Sequence, residues 1–382
     1  WASDSDEDSY YAYRTLYQLG YNNGDYPGVR LVELGNSNLR WETQTSTDIA
    51  VEFGVFNRLR GTVEFFNKES KDLIFGYPLP ESSGAKSINR NIGKVRNYGL
   101  EFELQGTLVS TKDFKWNLSL NGTILKNKIV RLPDENRKDG IEFKYKKYEE
   151  GRSVYDFYLN EWIGVDPKDG MAMYRLDTEK YADYADPSKP NFVGVGKEGE
   201  AATWTKDARF ARKHFCGTAI PDIYGGFGTR AEWKGFDAEI LFSYQLGGKT
   251  YDTGYQDLMG RSLNGGRAMH KDMERAWKNP GDQTDVPRLD AGNAGRYDAE
   301  RSDRFLISSD ALMLKSINVG YTFPRMWVKK LGVDELRLSV AAENLFLLSA
   351  RKGLNPMMNY SGVTATAFYD YAKTLTSSIS IK

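Results

Sequence analysis

The sequence predicts an all-β protein, a transmembrane barrel of up-and-down antiparallel strands. Three observations predict it. Apolar and polar residues alternate strictly over stretches of about ten, the period of a strand with two unlike faces. Short and long connections join these stretches in turn, as in a meander with tight turns at one rim and large loops at the other. The polar faces are rich in charge and amide, while the apolar faces carry Trp, Tyr and Phe near strand ends. A soluble sandwich would alternate too, with its apolar face on a packed core, so no single strand decides between them.

The first strand runs from Trp41 to Val55 and places Trp41, Thr43, Thr45, Thr47, Ile49, Val51, Phe53 and Val55 on one face. Glu42, Gln44, Ser46, Asp48 and Glu52 take the other. After a tight FNRL turn, Leu59, Gly61, Val63 and Phe65 oppose Arg60, Thr62, Glu64 and Lys68. Next, Tyr98, Leu100, Phe102 and Leu104 oppose Asn97, Glu101, Glu103 and Gln105. In KWNLSLNGTI, Lys115 to Ile124, we expect Trp116, Leu118, Leu120 and Ile124 to face lipid. Asn117, Ser119, Asn121 and Thr123 then face the lumen. Ser153–Val165 and Met171–Leu176 are weaker strand candidates. Ile223–Trp233 follows. Phe236–Gly248 turns Phe236, Ala238, Ile240, Phe242, Tyr244 and Leu246 outward, and Asp237, Glu239, Ser243 and Gln245 inward. Ala311–Phe323, Leu336–Ala342 and Tyr371–Ile381 complete a set of about eleven.

The short connections are FNRL, VSTKD, DPKDG (Asp166–Gly170), KG and Pro324–Asp334. The long ones are Gly76–Arg96, Leu125–Arg152, Asp177–Pro221, Lys249–Asp310 and Ser349–Asp370. If the last strand ends at the periplasmic rim, every short turn falls on that side and every long loop is extracellular. DPKDG has the flavour of a calcium loop but lacks the ligand spacing, so a periplasmic turn is expected.

Composition narrows the function. The 382 residues suffice for about two or three soluble domains or for part of one large barrel. Lys+Arg 52 balances Asp+Glu 52, leaving no excess charge for phosphate neutralisation, so no nucleic acid is expected as partner. The longest apolar runs, such as Leu345–Leu348, are far too short for a membrane helix. Aromatics at 13% suit interface girdles or sugar-stacking surfaces. One cysteine, Cys216, and two histidines, His214 and His270, leave little for metal or thiol chemistry, so we expect no metal, no cofactor and no enzyme. The chain opens on Trp1 and reads as a piece or a processed product of something longer.

Four phrases go beyond pattern. LGNSNLRWETQTSTDIAVEFGVFNRLRGTVEFFNKESKDLIF resembles the hallmark stretch of the SusC/RagA-like TonB-dependent outer-membrane transporters. NIGKVRNYGLEFELQG, LMLKSINVGYTFP and AENLFLLSARKGLNP are similar to later elements of the same family, and all four occur in family order. The resemblance implies a 22-stranded, plugged barrel, of which residues 1–382 would be the C-terminal half, with 1–40 an extracellular loop leading into the first strand. The plug, the TonB-contacting segment and the N-terminal domain have no counterpart in this sequence. The family usually ends on an aromatic residue, so one further residue after Lys382 is expected.

The resemblance also implies a function. It is active import of a large nutrient, a glycan or an oligopeptide, across the outer membrane of a Gram-negative bacterium. The implied partners are a SusD-like surface lipoprotein on the long loops, the TonB complex, outer-membrane lipid, and a second transporter–lipoprotein pair in a dimer. Tyr155, Tyr158, Trp162, Trp204, Tyr251 and Tyr255 are candidates for substrate or lid contact, against the plainer reading that they pack loops or form girdles. Glu101, Glu103, Asn117, Asn121, Asp237, Glu239 and Arg337 are expected in the lumen, with carboxylates answering Arg60, Lys115 and Arg337 rather than acting in catalysis. Trp116, Leu118, Leu120, Phe236, Ile240 and Phe242 are expected to face lipid. Two competing functions remain: a secreted soluble carbohydrate-binding or adhesive β-protein, and a passive outer-membrane pore. In the barrel, Leu118→Arg should cost roughly 2–4 kcal/mol if Leu118 lies at the bilayer midplane; unfolding titrations in detergent or bilayers would show an unchanged midpoint if the side chain were in water.

Overall fold

Nine strands form one continuous antiparallel sheet whose spatial order is the chain order. They are β1 (Thr43–Val55), β2 (Leu59–Lys71), β3 (Lys94–Ser110), β4 (Phe114–Arg131), β5 (Ile223–Trp233), β6 (Phe236–Leu246), β7 (Ala311–Thr322), β8 (Leu336–Ser349) and β9 (Thr374–Ile381). The structure, a computed structural model, describes residues 13–85, 87–91, 93–195, 200–260, 268–289, 299–364 and 371–382. Residues 1–12 of the expected leading loop lie outside the described residues. The rest of that loop carries a two-stranded hairpin, Leu16–Leu19 with Val29–Glu33.

Turn chemistry sets the register. Phe56 and Asn57 both adopt left-handed φ, at 55° and 53°, and Lys234 and Gly235 do the same at 46° and 93°. Two left-handed central residues define the hairpin turn whose twist matches paired strands. From these turns β1–β2 and β5–β6 pair residue for residue over their full length. Both turns, the 111–113 turn and the Arg325–Val328 helical connection lie on one rim; Leu336 pairs with Ile381, so β9 ends there as well. The connections 72–93, 132–222, 247–310 and 350–373 lie on the other rim.

The alternation lines up apolar positions of neighbouring strands on one face of the sheet. Val51, Val63, Phe102 and Gly122 stand opposite one another in β1–β4; Leu120, Phe227 and Phe242 do so in β4–β6, and Ile240, Ile317 and Ala342 in β6–β8. These side chains are open: Ile49, Val51, Phe236 and Val340 each expose half or more of their surface. A nine-stranded apolar face of this kind is far larger than the patches soluble monomers tolerate. Near the turn rim Trp233, Phe236, Tyr321 and Phe323 form a chain of ring contacts with centroids 6.5, 4.3 and 4.9 Å apart, a girdle at the interface position.

The packed core lies elsewhere. Phe157, Leu159, Tyr251, Met259, Val286 and Phe305 form the main buried cluster, all from the long connections. This corrects the strand count of about eleven. Ser153–Val165 breaks into Asp156–Asn160 and Trp162–Val165, which join two separate four-stranded sheets, and Met171–Leu176 forms Ala172–Arg175 in the second. Both segments alternate because one of their faces is buried in this cap, and a period of two is the same whether that face meets protein or lipid. The DPKDG turn therefore sits on the long-loop rim, not the periplasmic one. Its Asp166 and Asp169 carboxylates take the Lys206 ammonium at 2.6 and 2.7 Å.

Candidate functional site

The inner face of the wall and the cap over its long-loop rim form the candidate site. Strand alternation sends the polar residues inward, and their positions in neighbouring strands decide which of them meet. Asp237 stands opposite Gly320 across β6 and β7, and Arg337 of β8 lies on the same face one step along, opposite Thr322. Arg337 reaches over β7 to grip Asp237 with both carboxylate oxygens, one at 2.8 Å. Gly320 leaves room for this crossing, and a Cβ there would push the guanidinium aside. Across β2 and β3, Arg60 donates to Gln105 at 2.9 Å and Gln105 donates to Glu103 at 2.6 Å. Asn117 accepts from Thr107 at 2.8 Å and Asn121 accepts from the Gly226 backbone N–H at 2.9 Å. Glu239 lies 4.0 Å from Arg230, Glu101 stands opposite Glu64, and Lys115 stands opposite Glu232. The inner wall is thus a lattice of short polar links, with spare carboxylates on β1 to β3.

The cap is built from three connections tied by polar contacts. Asp303 accepts from the Trp162 backbone N–H at 2.8 Å and lies 3.0 Å from His214 Nε2. Trp277 donates to the Pro167 carbonyl at 3.1 Å. Arg351 binds the buried Asp252 at 2.6 Å and lays its guanidinium 3.5 Å from the centre of the Tyr255 ring. The Tyr251 N–H donates to Gly362 O at 2.7 Å. Lys146 donates to Ser361 O at 2.8 Å, with the rings of Tyr155 and Phe157 each 5.0 Å away. Burial pushes the Lys146 ammonium down to about 8, against a weaker pull from Asp156. Burial likewise pushes the Cys216 thiol up to about 12.

The six aromatic candidates separate. Tyr155, Tyr251 and Tyr255 converge on the main cap core. Tyr251 is wholly enclosed, against Tyr145 at 4.6 Å and Phe305 at 6.3 Å, so the expectation that it contacts a ligand is corrected: its ring packs the cap. Tyr158 leans on Phe215 at 4.9 Å, and Trp162 meets Tyr174 edge-on at 5.5 Å under Arg304. Trp204 keeps an exposed face, as does Tyr360, which the sequence reading passed over and which exposes 85% of its surface beside Tyr155. Lys146, Asp252 and Arg351 were also missed, because their meetings span loops distant in sequence and no local motif marks them.

Comparison with known proteins decides the family. The model described as TonB dependent receptor-like, beta-barrel matches residues 9–345. The chain belongs to the TonB-dependent receptor family. It is 29% identical over 87% of its length to TonB-dependent receptor P3 of Formosa agariphila, and 25% identical over 94% to TonB-dependent receptor SusC of Bacteroides thetaiotaomicron. It spans 32% and 34% of those two relatives. The RagAB peptide transporter shares the fold, with a TM-score of 0.76 at 23% identity over 97% of this chain and 39% of that one. The family is one of outer-membrane β-barrel receptors and transporters, not of enzymes.

Two outcomes follow for this receptor. Arg351→Ala leaves Asp252 buried without its cation. It should weaken the cap by about 2–3 kcal/mol, less than for a wholly buried pair because Arg351 keeps part of its surface in water; hydrogen exchange in 247–260 and 350–364 reads this directly. Lys146 has a folded value below the ordinary 10.5, so the unfolded cap binds the extra proton between about pH 8 and 10.5. Cap stability should therefore rise with pH through that window and lie flat below it. In Lys146→Met the slope should vanish, as limited proteolysis at graded pH would show.

Proposed function

We propose that the chain is the C-terminal part of the barrel of a SusC/RagA-like importer. The importer takes a glycan or an oligopeptide across the outer membrane of a Gram-negative bacterium with energy from TonB. The observation that carries this reading is the two-sided wall: one uninterrupted sheet with an open apolar outer face, a charged inner face, and all its long connections condensed into a cap on one rim. An apolar face of that extent is stable in lipid, and the polar inner face needs a wet or protein-filled lumen. β1 and β9 each keep a free edge within this sheet. Unpaired backbone in lipid costs several kcal/mol per group, so further strands must close the barrel.

The cap is the surface on which a SusD-like lipoprotein would sit. Trp204, Tyr158 and Tyr155 remain our candidates for substrate or lid contact, with Tyr360 beside them. No covalent chemistry is required for capture, enclosure and release.

The test uses the full-length receptor in its own cells, with labelled oligopeptides and oligosaccharides as solutes. Uptake should disappear when TonB is deleted; uptake that persists would identify a passive pore instead. Trp204→Ala combined with Tyr158→Ala should reduce uptake or lipoprotein retention several-fold at equal surface abundance. If both stay at the level of the unsubstituted receptor, these side chains only pack the cap.

A further inference from the structure

The outer face of β2, β3 and β4 continues above the apolar band, and there its character changes. Phe65, Leu100 and Ile124 form the last apolar row. The next row is Asn67, Tyr98 and Lys126, then Glu69, Arg96 and Lys128, then Lys71, Lys94 and Arg131. Tyr98 stands where an interface aromatic belongs. Rows on one face are about 7 Å apart along a strand, so with the strands tilted the two rows that start at Tyr98 span the headgroup layer.

This ladder holds six cations. Four carboxylates lie among them: Glu69, which meets Lys94 at 2.7 Å and Arg96 at 2.9 Å; Asp222, 3.7 Å from Lys126; Asp134, 3.2 Å from Arg131; and Asp72, which lines the cleft at the top. Lys128 is exposed and meets no carboxylate among the described residues. Two positive charges remain over, in a chain that is neutral as a whole. At the top, Lys71, Lys94 and Arg131 border a cleft of about 350 Å³.

We propose that this ladder on β2–β4 binds the phosphorylated headgroup of a lipid in the outer leaflet. The acyl chains would lie on the apolar row below, and the phosphates would take the excess charge above. Continuity with the lipid-facing band favours a lipid over a free phosphate, and charge complementarity selects an anionic headgroup. The inference rests on membrane placement of the wall and not on import, so loss of one leaves the other standing.

The test is native mass spectrometry of the full-length receptor in neutral detergent, titrated separately with diphosphoryl lipid A, its dephosphorylated form and inorganic pyrophosphate. The variant is Lys126→Gln, Lys128→Gln, Arg131→Gln, which leaves the cations around Glu69 in place and removes only exposed charges of little weight in stability. Diphosphoryl lipid A should bind best, and the variant should bind it on the order of a hundredfold more weakly at low salt, about fivefold per charge. Heat-modifiable migration in gels confirms that the variant is folded. Equal binding of the dephosphorylated lipid would overturn the proposal by assigning retention to the acyl chains. Tight binding of pyrophosphate would overturn the lipid as occupant. An unaffected folded variant would overturn the ladder as the site.

Discussion

Backbone hydrogen bonding in lipid is the constraint on which the rest of this structure depends. With no water to take them, the N–H and C=O groups of a spanning segment must pair within the sheet. The wall meets this with near-continuous one-to-one pairing, interrupted only by local register shifts such as those at Thr107/Val109, Leu241/Phe242 and Leu314/Ser316. The few polar groups on the outer face follow the same rule. Trp116 Nε1 donates to Thr229 Oγ1 at 2.8 Å, and Tyr244 OH donates to the Asn121 carbonyl at 3.0 Å. Tyr244 reaches that carbonyl because Gly122 has no side chain in its path.

Once pairing is settled, the two faces are free to differ, and function uses the difference. The outer face needs only bulk and hydrophobicity, so Val, Ile, Leu and Phe serve equally well there. The inner face can afford charge, because its groups answer one another at short range: Arg337 with Asp237 over Gly320, and Arg60 with Glu103 through Gln105. Such links hold these side chains against the wall.

The cap obeys a different solvent. In water its connections must bury apolar surface to stay ordered, and they do so around Phe157, Tyr251 and Phe305. The polar ties between connections, such as Asp252 with Arg351 and Lys146 with Ser361, then decide how the three pieces sit together. The wall is thus held by strand pairing and its surroundings, and the cap by its own core.

The sequence by itself determined most of the wall: the nine strands that form it, among about eleven expected, and the two faces of each. Period-two alternation and turn residues such as Phe56–Asn57 and Lys234–Gly235 are local signals, and strand pairing between neighbours follows from them. The same signals misassigned Ser153–Val165 and Met171–Leu176, because alternation records that one face is buried and not what buries it. Within the site, the inward direction of Asp237 and Arg337 was legible, whereas their contact is a diagonal one that passes over Gly320, set by how β6, β7 and β8 pair. Only the tertiary structure decided that Tyr251 is core, that Trp204 and Tyr360 are open, and that Lys146 is buried against Ser361. Those outcomes depend on how connections of 91 and 64 residues, 132–222 and 247–310, fold back on each other, and contacts across such distances in the chain leave no periodic trace in it.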